Sequence, residues 1–391
     1  MMKFSRRLVL AVSTALTLSL GASLPALSAD EIVIAGSLPL TGMFGFAGVG
    51  VEAGIQDYVK MINEEGGIAG RQLRFVYEDT AYKVDASVAA FNKLNSQEEI
   101  HFYYGDSTGF AKTINPELNR MGSILMAGTS YASELNDPAT YPFQFMAGPD
   151  YTEMTGILLE YIAKEKPGAK IVLVNSDTEF GRDPIAGTKA RAQELGLEIV
   201  EEIITPPTAV DVSTEVLKLR RARPDYAIFH GYLLAPIPEF MSQAKQLGLD
   251  TKFMGTFWSM DPGSWAKVGD VANGYMGVMP YRYADDEADD APMLDRIRQM
   301  RPDYRSTPYM QGFLTAMLFS EAAKRTLEAG KELNGENLKA ALNTIKDFDT
   351  GGIIGKPITI SGNSIPVGRI YTYNAATQKM DPASDWISLQ E

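Results

Sequence analysis

The chain has 391 residues, a formal net charge of −13 and no cysteine. Its acidic balance argues against a nucleic-acid partner, because neutralising phosphates needs a basic face, and the missing thiols exclude disulfides, thiolate nucleophiles, thiolate metal sites and a thiol-borne lipid anchor. At about 100–200 residues per domain, the length suggests two domains, each able to bury its own core.

Lys3, Arg6 and Arg7, the apolar run Leu8 to Leu20 and the small-residue stretch Pro25 to Ala29 predict a secretory signal peptide over residues 1–29. The apolar run is too short to span a membrane. Loss of the leader's three cations takes the net charge from −13 to −16 over 362 residues. The expectation is a soluble periplasmic protein that is not a lipoprotein.

The mature chain opens on a short apolar strand, Ile32-Val33-Ile34, and a long Gly-rich turn through Gly42, Gly45, Gly48 and Gly50. Val51, Ile55, Tyr58, Val59 and Ile62 then recur at helical spacing, and Gly66-Gly67 is the expected stop. Arg71 to Asp79 alternates Leu73, Phe75 and Tyr77 with polar neighbours, which predicts a strand whose two faces differ in burial. Gly48-x-Gly50-x-x-Ala53 fits a loose dinucleotide pattern. About a dozen residues separate it from the strand, however, where a pyrophosphate site needs the glycines at once.

Alternation continues with a helix over 84–96, a strand over 100–104, a helix near 110–120 and a strand over 123–127. Helices follow over 150–166, 184–195, 211–222 and 234–248, with strands near 170–175, 197–204, 225–230 and 251–256. Strand-then-crossover units imply parallel sheets, with ligands beyond the carboxyl ends of the strands. The rhythm breaks at Tyr141 to Asp150, near Pro280, and at Gly351 to Pro357. The acidic run Asp285-Asp286-Glu287 with Asp289-Asp290 lacks the glycine and spacing of a calcium loop and reads as a solvated turn. Gly105-Asp106-Ser107-Thr108-Gly109 has the form of a nucleophile elbow. The only later histidine is His230, far from the C-terminus, and no His-Gly-Gly-Gly segment offers an oxyanion hole, so a serine hydrolase is disfavoured. His101 and His230 lack metal-ligand spacing, and no cofactor is expected.

Ile32 to Gly42, Ile62 to Gly70, Asp177 to Gly181 and Phe253-Met254-Gly255 together resemble the periplasmic leucine/isoleucine/valine-binding proteins, the type I solute-binding proteins of ABC importers. The resemblance implies an α/β fold of two doubly wound parallel-sheet lobes joined by three crossovers, closing like a hinge on a ligand. It places residues 30–147 with 280–354 in an N-terminal lobe and 148–279 with 355–391 in a C-terminal lobe. Matched to the family's site, the first loop offers Phe44 or Phe46. The hydroxyl-rich turns offer Asp106, Ser107, Thr108, Thr129, Ser130 and Tyr131, and the second lobe offers Phe180, Tyr232 and the segment after Gly255. In relatives the two hydroxyl turns hold the ligand carboxylate, which suits helix N-termini independently of any family.

Where many relatives place a glutamate for the ligand ammonium, this chain has Phe257 followed by Trp258. An unpaired buried ammonium would cost several kcal/mol. With Tyr104, Tyr131, His230 and Tyr232 also near strand ends, the expected ligand is an aromatic or otherwise apolar carboxylate. The alternative is a branched-chain or aromatic amino acid with Asp106, Asp177 or Glu179 as substitute anion. The resemblance further implies membrane permease subunits as partners and a monomer. A ligand-sensing receptor lobe is the runner-up from a different class, set back because the sequence continues into no signalling domain.

Overall fold

The computed structural model describes residues 31–42, 44–302 and 306–389; the signal peptide read over residues 1–29 lies outside the described residues. The chain starts with β1 (Ile32–Leu38), α1 (Gly45–Glu64), β2 (Leu73–Asp79), α2 (Val84–Gln97), β3 (Ile100–Gly105), α3 (Thr108–Met121) and β4 (Leu125–Gly128). These strands form one parallel sheet in the order β2-β1-β3-β4. β1 is buried along its whole length, as its near-continuous apolar run requires in a sheet covered on both faces. α1 stops where Gly66 and Gly67 take φ of +100° and +78°, and a Cβ on Gly67 would lie 2.0 Å from the Arg71 carbonyl oxygen. Ser107 caps α3 by accepting from the Phe110 N–H, and Gly122 at φ +63° ends it. The alternation of burial expected over Arg71 to Asp79 is absent. β2 is an edge strand, so Arg74 through Glu78 are all half-buried.

The second sheet follows α4 (Tyr151–Glu165). Its elements are β5 (Lys170–Ser176), α5 (Glu179–Arg182), α6 (Ile185–Glu194), β6 (Glu198–Thr205), α7 (Ser213–Ala222), β7 (Tyr226–His230), α8 (Ile237–Gln246), β8 (Lys252–Gly255), α9 (Pro262–Trp265) and β9 (Met276–Met279). The chain returns to the first sheet for α10 (Pro292–Met300), α11 (Thr307–Glu328) and α12 (Gly335–Leu342), then ends in β10 (Val367–Asn374) and β11 (Lys379–Ser388). The strand order is β11-β10-β9-β8-β7-β5-β6. β5 to β9 are parallel, whereas β10 runs antiparallel to both β9 and β11. This antiparallel edge modifies the all-parallel expectation. β10 and β11 form a hairpin, which needs no helical crossover.

α11 lies against α1 so closely that a Cβ on Gly54 would sit 2.2 Å from the Tyr309 carbonyl oxygen, and one on Gly312 would sit 2.4 Å from that of Val51. Gly54 serves that contact, and a Cβ on Gly48 would lie 2.3 Å from the Pro39 carbonyl oxygen, so close packing of the first loop on α1, and not a phosphate loop, accounts for Gly48. Two of the passages between sheets run side by side, with Met146 N–H donating to Asn363 O at 2.7 Å and Ile365 N–H to Gly148 O at 3.0 Å. The acidic run is not wholly solvated either: Asp286 is buried and accepts from the Tyr371 hydroxyl at 2.5 Å.

Candidate functional site

The carboxyl ends of the two sheets face each other, and a narrow cavity lies between them. Phe44 comes from the loop after β1, Tyr82 from the loop after β2, Asp106, Ser107 and Thr108 from the turn after β3, and Thr129 and Ser130 from the turn after β4. The opposite wall is Tyr151 at the start of α4, Phe180 in α5 and Trp258 just after β8. About 20 Å³ is open to the centre of a water molecule, little more than one water needs. A vestibule of about 380 Å³ adjoins it past Phe44, Tyr82 and Phe180.

Loop geometry sets the outer rings. The Asp79 carboxylate accepts from the N–H groups of Leu40, Thr41 and Ala81 at 3.0–3.2 Å and from the Thr41 hydroxyl at 2.7 Å, tying the loop after β1 to the loop after β2. Partial burial opposes its ionisation, but the Thr41 hydroxyl and these N–H groups outweigh it and hold the carboxyl below its usual pKa. Ala81 and Tyr82 take left-handed φ of 49° and 63°, a backbone cost concentrated at the cavity mouth. The Tyr82 ring stacks on Phe44 with centroids 4.1 Å apart. Burial, with the nearby Asp106 carboxyl adding to it, pushes the Tyr82 hydroxyl up to about 12.

Among the described residues, no lysine, arginine or histidine lines the polar end of the cavity. Asp106 is buried and accepts from the hydroxyls of Thr80, Ser87 (2.7 Å) and Ser107 (3.0 Å). Burial raises its pKa and the three hydroxyls only partly offset the rise. The Ser107 proton is directed at Asp106 while its oxygen accepts from Phe110 N–H, so this hydroxyl is committed to the fold. Thr108 and Ser130 are joined at 2.6 Å, and Ser130 also accepts from Ala132 N–H. Whichever of the two donates to the other, one hydroxyl proton remains for a ligand acceptor. Apart from that of Phe110, the first-turn N–H groups of α3 lie at this end of the cavity with no intrahelical partner and carry the helix's partial positive charge. Tyr151 accepts from the Trp258 indole N–H at 3.2 Å, which leaves its own proton available.

Of the residues expected from sequence, the structure brings together Phe44, Asp106, Ser107, Thr108, Thr129, Ser130, Phe180 and Trp258. It does not bring in the others. Phe46 lies on the first turn of α1 with 37% of its surface exposed. His230 is enclosed: Nδ1 meets the Thr256 hydroxyl at 2.8 Å and Nε2 meets the Phe180 carbonyl oxygen at 2.9 Å, so the assigned tautomer carries its proton on Nε2. Burial lowers its pKa to about 3, leaving a neutral ring packed between Tyr151 and Phe180 at 4.7 and 4.8 Å. It positions cavity rings and touches none of the open space. Tyr232 turns its hydroxyl to Thr205 at 2.8 Å, away from the cavity. Tyr104, Tyr131 and Phe257 are fully buried behind the wall. Among the substitute anions, Asp106 lines the cavity, Glu179 the vestibule, and Asp177 is engaged by Arg182 at 2.8 Å. Tyr82 is not anticipated by the sequence, and Tyr151 stands out there only as one of many rings near strand ends, not as a chosen site residue. Both carry the signal that found the others, a ring at a loop following a strand or opening the next lobe.

A family model described as "Periplasmic binding protein" matches residues 31–379. The leucine-, isoleucine-, valine-, threonine- and alanine-binding protein of Pseudomonas aeruginosa is 23% identical over 324 residues, 80% of this chain and 83% of that protein. The branched-chain amino acid ABC transporter structure from Thermus thermophilus with bound valine superposes with a TM-score of 0.81 at 23% identity, covering 93% of this chain and 97% of that one. An ABC transporter solute-binding protein from Rhodopseudomonas palustris in complex with 3,4-dihydroxybenzoic acid gives a TM-score of 0.75 at 20% identity, covering 92% and 98%.

Proposed function

The chain belongs to the periplasmic binding protein family, and from that premise we propose that it is the solute receptor of a branched-chain-amino-acid-type ABC importer, taking a small aromatic or apolar carboxylate in the cavity between its sheets. The observation that carries this reading is the pairing of five rings, Phe44, Tyr82, Tyr151, Phe180 and Trp258, with a cation-free polar end of hydroxyls and helix N–H groups. Rings stack on a flat apolar body, and dipoles hold a carboxylate without a counter-ion. Two lobes, with boundaries near residues 147, 279 and 354, hinge apart to admit ligand, since the cavity as it stands holds little more than a water. Ligand that bridges both walls favours the closed form, which the permease subunits then recognise. The protein acts in the periplasm as a monomer.

Asp106 favours a second reading. A buried carboxylate on the cavity wall would suit a ligand ammonium, and among the structural relatives one holds valine and another a dihydroxybenzoate. Thermal-shift and calorimetric titration of the mature protein against benzoate-like and cinnamate-like acids, branched-chain and aromatic amino acids, and small amides tests the choice. Stabilisation grows with ligand concentration over Kd. A response to aromatic acids supports the first reading, and a response confined to leucine-like compounds overturns it.

A further inference from the structure

The vestibule beside the cavity is the larger space and has a lining of its own. About 380 Å³ is open in it, within the ~300–1,000 Å³ of ordinary small-molecule sites, against about 20 Å³ in the cavity. The two share Phe44, Tyr82, Ser107, Thr108 and Phe180, so a ligand group held at Thr108 has a way inward and a way outward. Inward, towards Tyr151 and Trp258, there is room for about one water. Outward lie Val84 at the start of α2, Gly109 in the first turn of α3, Pro207 after β6 and Gly231 after β7.

This outer lining is apolar on both sides of the cleft. Phe44 and Tyr82 stack 4.1 Å apart on the side of the first sheet, and Phe180 and Pro207 come from loops of the second. Val84 is 36% exposed and Pro207 half-buried, so both present apolar surface that the fold leaves uncovered. Gly109 keeps this wall open, since a Cβ there would lie 2.9 Å from Val84 Cγ2, and its N–H is one of the first-turn donors of α3 without an intrahelical partner. A carboxylate on those donors is therefore within reach of the vestibule. The polar side chains give no second anchor for an anion. Thr178 is occupied in capping α5, where it accepts from Gly181 N–H at 2.9 Å, and among the described residues Glu179 is the only charged one in the lining.

We propose that the vestibule is a second subsite for the same ligand, and that the ligand is an arylalkanoate: a carboxylate separated from an uncharged ring by a short methylene chain. This rests on the reading above that the cavity binds an aromatic carboxylate, and narrows it. The carboxylate sits at Thr108, Ser130 and the Gly109 N–H, the chain passes Trp258, and the ring lies against Phe44, Tyr82 and Phe180, between Val84 and Pro207. A ring bonded directly to the carboxylate stays at the anchor and leaves Val84 and Pro207 bare, whereas a chain carries it to them. Glu179 disfavours a second anion at the outer end.

Calorimetry on the mature protein with benzoate, phenylacetate, 3-phenylpropanoate and 4-phenylbutanoate tests the proposal. Affinity should climb by about 3-fold per methylene as the ring moves into apolar space, so that 4-phenylbutanoate exceeds benzoate by about 10-fold or more. Decanoate, with the same number of carbons and no ring, should bind more weakly than 4-phenylbutanoate, because it cannot stack. Val84→Trp and, from the opposite wall, Pro207→Trp fill the vestibule, and each should pull the ratio of 4-phenylbutanoate to benzoate affinity back towards one; either variant decides the point if the other fails to fold. Binding of the longer acids without benzoate also supports the subsite. Benzoate bound with a flat or falling series overturns the proposal and leaves the aromatic carboxylate reading standing. Decanoate bound as tightly as 4-phenylbutanoate, or a ratio that survives the tryptophan substitutions, overturns it as well. If none of the aryl acids binds and leucine does, the aromatic carboxylate reading fails and the proposal falls with it.

Discussion

Glu153 gives the sharpest stability prediction. It sits at the third position of α4, where its carboxylate accepts from Asp150 N–H at 2.8 Å, Asn136 Nδ2 at 3.2 Å and Ser364 Oγ at 3.0 Å, and Asp150 in turn accepts from Glu153 N–H at 2.8 Å. The cluster ties the start of α4 to the strand-like segment around Asn363, with two acids and no cation hydrogen-bonded to either. Burial first, and the Asp150 charge second, raise Glu153 from 4.5 to about 7. Asp150 is raised as well. The folded state therefore keeps a proton that the unfolded chain loses between about pH 4.5 and 7, so this stabilisation is complete below that window and gone above it. A difference of about 2.5 pKa units at roughly 1.36 kcal/mol each sets an upper limit of about 3 kcal/mol. Urea unfolding at pH 5 and pH 8 reads it out. Wild type should lose stability on going to pH 8, and Glu153→Gln should lose less, by at most about 2–3 kcal/mol because pH 5 already lies inside the window. Asp286, raised to about 6 by burial, contributes a slope in the same direction that the substitution leaves in place. Equal slopes in wild type and variant would refute the reasoning.

Asp106→Asn separates the two ligand readings. If the ligand is an anion, closure forces a proton onto Asp106, so wild-type affinity should rise as pH falls from 8 to 5 and the variant should lose this dependence; an amino-acid ligand should instead bind the variant ~10-fold or more weakly. Trp258→Ala should weaken aromatic ligands by ~30-fold, about 2 kcal/mol, as for a central aromatic anchor, and unchanged affinity in calorimetry would remove Trp258 from the site. Gly54→Ala should lower the thermal midpoint although alanine is the better helix former by about 1 kcal/mol, because its Cβ would lie 2.2 Å from backbone of α11; a raised midpoint would show that the helices can separate freely. His230→Gln should loosen Phe180 and weaken binding while leaving the shape of the pH profile between 5 and 8 as in wild type, since the imidazole is already neutral there; a wild-type inflection near 6 that Asp106→Asn keeps and His230→Gln abolishes would contradict that assignment.

Much was legible in the primary structure because the relevant forces are local. Apolar run lengths and helical spacing decide which segments can cover a sheet, so the strands from β1 to β8 and the longer helices between them were readable within a few residues, while the hydroxyl turns at Ser107 and Ser130 came from the family resemblance. Local pattern does not say which of many apolar rings reaches the cleft. Phe44, Phe180 and Trp258 reach it while Tyr232, Phe257 and Phe46 do not, and nothing in spacing distinguishes them. That choice depends on partners far away in sequence: Thr205 takes the Tyr232 hydroxyl, Thr256 and Phe180 enclose His230, and Asp79 fixes the turn that brings Tyr82 onto Phe44. The antiparallel β10–β11 edge and the backbone contact of α1 with α11 are of the same kind. Sequence by itself determined the layers, their order and the end of the sheet where a ligand would bind; packing in three dimensions decided which side chains are committed to the fold and which remain free to meet that ligand, because hydrogen bonds and ring contacts between distant segments are satisfied only once the sheets are assembled.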